Sequence, residues 1–139
     1  MDVQVPEGAN PVLATPAKVL VIDDSNTIRR SAEIFLKQGG HEVVLAEDGF
    51  DALAKLSDYE PDLVFCDILM PRLDGYQTCT LIKNSAAFHA TPVLMLSSKD
   101  GLFDRARGAM AGSAACLAKP FTREGMLAAV RAHATSSPD

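Results

Sequence analysis

The stretch VLVIDDSNTIRR, residues 19–30, runs four aliphatic residues straight into two adjacent carboxylates, then a hydroxyl, an amide and another hydroxyl. An unbroken apolar run suits a strand covered on both faces, as in a parallel sheet, better than a half-exposed strand. Past the carboxylates, Ile28, Ala32, Phe35 and Leu36 fall at i, i+4, i+7 and i+8, which predicts a helix over 25–38 stopped by Gly39 and Gly40. A buried strand feeding a helix is the first half of a β-α-β unit. The turn between them carries Asp23 and Asp24, and two carboxylates about 4 Å apart repel by roughly 4 kcal/mol at an effective dielectric near 20. A compensating positive charge is expected close by.

The alternation continues along the chain. Apolar runs predict strands over 18–23, 42–47, 62–67, 92–97 and 114–118. Between and after them, helices are predicted over 49–58 (apolar Phe50, Leu53, Ala54, Leu56), 74–84 (Tyr76, Cys79, Ile82, with Asp74 as N-cap), 100–111 (Leu102, Ala106, Met110 behind Asp100) and 122–134 (Leu127, Val130, Ala134 behind Thr122). Gly108 and Gly125 weaken the last two by about 1 kcal/mol each relative to alanine. Five strands alternating with five helices, joined by right-handed crossovers, make a doubly wound parallel α/β sheet.

At 139 residues and 47% hydrophobic, the chain fits one domain. Residues 1–17 carry three prolines and no periodicity, and read as a flexible leader; 135–139 read as a flexible tail, leaving 18–134 as the domain. A net charge of −5 without a basic block speaks against nucleic acid or an anionic membrane as partner. The start lacks a signal-peptide pattern and no apolar run is long enough to span a bilayer, so a cytoplasmic location is expected. Cys66, Cys79 and Cys116 are odd in number and show no CxxC, which favours small apolar packing residues over a disulfide or zinc site. His41, His89 and His133 lie away in sequence from the residues that bear the site chemistry and are assigned to surface or packing roles.

Ligands of doubly wound sheets sit beyond the carboxyl ends of the strands. There the first strand delivers Asp23 and Asp24, the third Asp67, the fourth Ser97 and Ser98, and the fifth Lys119 and Pro120. One aspartate after a strand is ordinarily a turn or cap residue; three carboxylates, a hydroxyl and an ammonium at one edge are not explained that way. Clustered carboxylates ask for a hard divalent cation such as Mg²⁺, and Lys119 adds a second positive charge. Asp67 is then available as a nucleophile toward a phosphoryl group, with Ser97 as a hydrogen-bond donor to it.

These residues resemble the receiver domains of two-component response regulators, the CheY-like family. The matching motifs are IDDS at 22–25, FCDILMP at 65–71, LDG at 73–75, LMLSS at 94–98 and KPF at 119–121. The resemblance implies strand order 2-1-3-4-5, Asp67 as phosphoacceptor, and Mg²⁺ held by Asp24, Asp67 and the Leu69 carbonyl, with Asp23 acting through water. It further implies Ser97 as switch hydroxyl, Lys119 as phosphate-binding lysine and a cis peptide before Pro120. The implied partners are a chemosensory histidine kinase or His-phosphotransfer domain and a downstream motility or signalling protein docking on residues 100–134, including Phe103, Leu102 and Met110, with core packing expected for at least two of these three. A monomeric switch that assists its own phosphorylation and dephosphorylation, rather than an enzyme, is expected. MPRLDGYQTC and SSKDGLFD are similar to receivers of type IV pilus (twitching motility) chemosensory systems.

Two departures stand out. Cys116 occupies the position of the family's usual switch aromatic, and Leu69 puts an apolar side chain two residues past the phosphoacceptor. Two readings therefore accompany the switch: a binding module indifferent to phosphorylation, and a phosphate sink for a shared kinase. A nucleotide-binding or phosphatase activity is disfavoured, because neither GxGxxG nor GxxxxGKS/T is present and the DD doublet differs from a DxD arrangement.

Overall fold

The computed structural model describes residues 16–98 and 102–134. Most of the predicted leader, the tail, Asp100, and the side chains of Leu102 and Phe103 lie outside the described residues. Ala17, placed in the leader by its sequence, is buried and its carbonyl accepts from the Glu42 N–H.

The elements alternate as expected: β1 (Lys18–Ile22), α1 (Asn26–Gln38), β2 (Glu42–Ala46), α2 (Gly49–Tyr59), β3 (Leu63–Asp67), α3 (Gly75–Lys83), β4 (Val93–Ser97), α4 (Leu102–Met110), β5 (Ala115–Ala118) and α5 (Arg123–His133). All strand pairs are parallel, in the order β2-β1-β3-β4-β5. The helices begin where side chains take up orphan N–H groups. Ser25, Asp48, Asp74 and Thr122 each accept from the backbone N–H three residues on, worth about 1 kcal/mol apiece. Asp74 and Gln77 complete a reciprocal capping box.

Alternate strand residues build two cores. On one face, Val19, Val21, Phe65, Leu94 and Leu96 meet Ala32 and Leu36 of α1 and Met126 and Val130 of α5. On the other, Leu20, Ile22, Cys66 and Met95 meet Ala52, Leu56, Cys79 and Ile82 of α2 and α3. Full burial of each large side chain contributes about 1.5–3 kcal/mol. The three central strands are covered on both faces, whereas the edge strands β2 and β5 are only partly covered, because each lacks a neighbour on one side. The three cysteines form no disulfide, Cys66 and Cys79 being buried and Cys116 partly buried.

Two helices depart from the inward side that apolar spacing predicts, α2 only in part, since Leu56 is buried and Leu53 packs against the core as expected. On α2 the buried residues are Gly49, Ala52 and Leu56, while Phe50 is 53% exposed and carries the Arg72 guanidinium over its ring. On α4 the predicted Ala106 and Met110 face out, Met110 at 88% exposure, and Gly108 faces in. A Cβ at Gly108 would stand 2.9 Å from the Ser113 hydroxyl and 3.4 Å from the Met95 side chain. Close approach of α4 to β4 thus requires the glycine that intrinsic propensity disfavours.

Candidate functional site

The strands end together, and their last residues define a pocket. Just past β1, the fully buried Asp23 extends the ladder by donating its N–H to the Ala46 carbonyl (3.1 Å). Its Oδ1 accepts the Ser25 N–H (2.9 Å), a turn that leads directly into the N-cap of α1. Asp24, next in line, is exposed. Arg29 reaches back from α1 to the Asp23 carbonyl (2.5 Å) and to the Asn26 side chain.

Asp67 closes β3 and is 4% exposed. Its neighbour Ile68 donates to the Leu96 carbonyl (3.1 Å) and accepts from the Gly75 N–H (2.8 Å), so the first turn of α3 lies directly against the strand end. A Cβ on Gly75 would sit 2.2 Å from the Asp67 carbonyl oxygen, a contact no side chain tolerates. Just past β5, Lys119 donates its N–H to the Ser97 carbonyl (2.7 Å), and its ammonium spans Asp67 Oδ1 at 2.9 Å and Asp23 Oδ2 at 3.2 Å. The Lys119–Pro120 bond is cis.

The charges do not balance inside this pocket. Burial raises the Asp67 carboxyl; the hydrogen bond from Lys119 pulls it back, the charges of Asp23 and Asp24 push it up, and it settles at about 6 against an ordinary 3.8. Burial alone would depress Lys119, but the hydrogen bond to Asp67 and the charges of Asp23 and Asp67 hold it above its ordinary value. One ammonium among three carboxylates leaves net negative charge in a confined space. Carboxylate oxygens of Asp23, Asp24 and Asp67 lie within 4.8 Å of one another, an all-oxygen donor set suited to a small hard cation.

The structure therefore brings together Asp23, Asp24, Asp67, Ser97 and Lys119. Leu69 stands on the rim, 66% exposed. Cys116 does not join the pocket: it pairs with Met95 in the β4–β5 ladder and packs against the α2–α3 core. His41 takes a packing role, its Nδ1 accepting the Ala17 N–H (3.0 Å), and His89 is exposed.

Three residues, Tyr76, Asp104 and Arg107, were not singled out for function in the sequence and gather around Ser97. Ser97, 2% exposed, donates its hydroxyl to Asp104 Oδ2 on α4 (2.6 Å); Tyr76 on α3 donates to Asp104 Oδ1 (3.3 Å); and the Arg107 guanidinium lies 4.4 Å from the Tyr76 ring centroid. A cleft of about 170 Å³ joins this group to Asp67. No local pattern marks them, since Tyr76 sits on a regular apolar stripe and Asp104 is an ordinary first-turn acid.

Fold and pocket define a class: small α/β proteins whose doubly wound parallel sheet carries an acid pocket at its carboxyl edge. Within that class the chain belongs to the response regulator receiver domain family, whose model matches residues 19–131. It is 62% identical over 119 residues to Protein PilG of Pseudomonas aeruginosa, covering 86% of this chain and 88% of that protein. It is 38% identical over 117 residues to Response regulator MprA of a Mycobacterium species, covering 84% of this chain but 50% of MprA. Among solved structures, Vibrio cholerae chemotaxis protein CheY4 superimposes with a TM-score of 0.82 at 32% identity, covering 86% of this chain and 99% of that one. No helix among the described residues is long and apolar enough to cross a membrane.

Proposed function

We propose that this receiver is a phosphorylation switch in a chemosensory phosphorelay, taking a phosphoryl group on Asp67 from a histidine kinase or His-phosphotransfer domain. The observation that carries the reading is the Lys119 ammonium shared between Asp67 and Asp23 in a pocket that remains short of positive charge. Asp23, Asp24, Asp67 and the Leu69 carbonyl would hold Mg²⁺, Asp23 through water. When bound, the ion supplies charge neutralisation for carboxylate and phosphoryl oxygens.

The chain's own groups do the rest. The Asp67 carboxylate attacks phosphorus; a P–O bond forms, the P–N bond to the donor imidazole breaks, and the imidazole leaves with its electron pair and takes up a proton. Lys119 is already positioned on Asp67 Oδ1, so its charge meets the incoming group without reorganisation. Ser97, across the cleft, offers a hydroxyl to a phosphoryl oxygen. Nothing is turned over except the chain's own phosphoryl group, so the protein acts as a switch rather than an enzyme. Its signal passes by protein contact, with residues 100–134 as the docking region and neither nucleic acid nor membrane as partner. A cytoplasmic monomer fits this role. Likeness to PilG and to a chemotaxis protein supports control of type IV pilus or related motility.

Intact mass after incubation with acetyl phosphate tests the reading. One phosphoryl group is expected on the protein with Mg²⁺, and none without Mg²⁺ or in Asp67→Asn. A protein inert under all conditions would instead be a binding module of the same fold. A phosphate sink would take up the group, drain a shared kinase and bind no downstream partner.

A further inference from the structure

The Ser97 hydroxyl has one proton, and two acceptors compete for it. In this structure the proton points to Asp104, at 2.6 Å. A phosphoryl group on Asp67 would bring a second acceptor into the same cleft, which Asp67, Ser97, Asp104, Tyr76 and Arg107 line together. A serine hydroxyl donates only once, so the two bonds exclude each other. If Ser97 turns to the phosphoryl group, Asp104 loses a charge-assisted bond and faces a new dianion across the cleft.

Asp104 is also the acceptor for Tyr76, and Tyr76 carries Arg107 on its ring. These two residues line the cleft and also an apolar groove of about 560 Å³ between α3 and α4, beside Leu73, Leu81 and Met110. The Tyr76–Arg107 pair is thus a wall common to both. The ring that reaches the switch hydroxyl's network belongs to α3, whereas β5 presents the small Cys116 thiol, which packs against the same core cluster as Tyr76 and brings no ring to the cleft.

We propose that Asp104 is the positioning residue that sets the Ser97 hydroxyl, and that Tyr76, rather than a β5 aromatic, registers its release on phosphorylation. This rests on Asp67 being the phosphoacceptor. Before phosphorylation Asp104 withholds the hydroxyl from the cleft; after it, the Asp104–Tyr76 contact is remade and the α3–α4 wall moves with it. The event is an exchange of hydrogen bonds that biases two arrangements of one helix pair.

The composition makes the test direct. There are two tyrosines and no tryptophan, so Tyr59→Phe leaves Tyr76 as the sole side chain that emits on excitation in the tyrosine band, beyond phenylalanine absorption. Tyr76 emission is followed together with intact mass while the Tyr59→Phe protein takes up phosphoryl groups from acetyl phosphate with Mg²⁺. Emission is expected to change in step with mass, and not to change on phosphorylation when Ser97→Ala is added. Asp104→Ala is expected to speed uptake about five-fold in the Ser97 protein and to have no effect in Ser97→Ala, the non-additivity of coupled residues. Mass gain with constant Tyr76 emission overturns the inference and leaves the phosphoacceptor reading standing. Equal acceleration in both backgrounds also overturns it, since removal of a nearby charge then suffices. No mass gain in any protein removes the phosphoacceptor reading and this inference with it.

Discussion

On the α1–α5 face of the sheet, Leu36, Met126 and Val130 form an apolar cluster with Val19, Val21, Phe65 and Leu96. On the opposite face the apolar core of Ile22, Cys66, Leu56 and Ile82 gives way toward the carboxyl edge to Tyr76, Ser97 and Asp104, held by directional bonds around a cleft. Apolar packing is dense and has no alternative partner to move to. A hydrogen bond in a cleft has alternatives, and exchanging one for another costs little. The apolar cores of both faces supply the stability of the domain, and the cleft at the carboxyl edge of one of them has room to change arrangement while they hold still.

The largest effect expected from this contrast is in the packed face. Phe65→Ala or Leu36→Ala should cost about 3–5 kcal/mol by urea unfolding while phosphoryl uptake of the folded protein is unchanged. A loss well under that range would mean that this face is not the anchor.

Asp67→Asn tests the cost of the pocket itself. Asp67 is raised from 3.8 to about 6 in the fold, so its favourable contribution is complete below 3.8 and is lost as pH rises through about 6. At neutral pH its charge opposes folding. Asp67→Asn should therefore raise Tm by about 2–5 °C in Mg²⁺-free buffer. Mg²⁺ should narrow the gap by stabilising the wild-type protein alone. A lower Tm for Asp67→Asn would show that the Lys119 bond outweighs the crowding.

Tyr76→Phe removes one hydrogen bond from the polar face and should cost about 1 kcal/mol by the same urea titration. The smallest effect belongs to His41. Burial, and then the charge of Arg131, depress its pKa below 6.5, so its contribution is present above 6.5 and fades as pH falls through the folded value. Relative to His41→Gln, the wild type should lose a few tenths of a kcal/mol on mild acidification, read from Tm against pH.

The architecture was legible because buried parallel strands leave unbroken apolar runs and helix starts leave caps such as Asp74 and Thr122. Asp23, Asp24, Asp67, Ser97 and Lys119 were legible because strand ends fall at one edge in this topology. Part of the inner side of α2 and that of α4 were not, although Leu53 and Leu56 fall where expected. Periodicity rewards large apolar residues, and so favoured Phe50 and Met110, whereas close approach of α2 to Thr78 and Leu73 selected Gly49 and close approach of α4 to β4 selected Gly108. The Tyr76–Asp104 contact joins residues 28 positions apart and depends on how α3 and α4 are laid side by side, which no short pattern encodes.

Gly75 separates two properties that a signalling protein must adjust independently. With no Cβ between α3 and the Asp67 carbonyl, main chain rests on main chain, and the place of Asp67 is indexed without help from the loop between them. Leu69, Pro71 and Arg72 in that loop are exposed. Leu69 alone of the three lines the cleft, whereas Arg72 turns to Asp48 and the Phe50 ring: replacing Leu69 alters what meets the pocket from outside while the Asp67 carboxylate keeps its address.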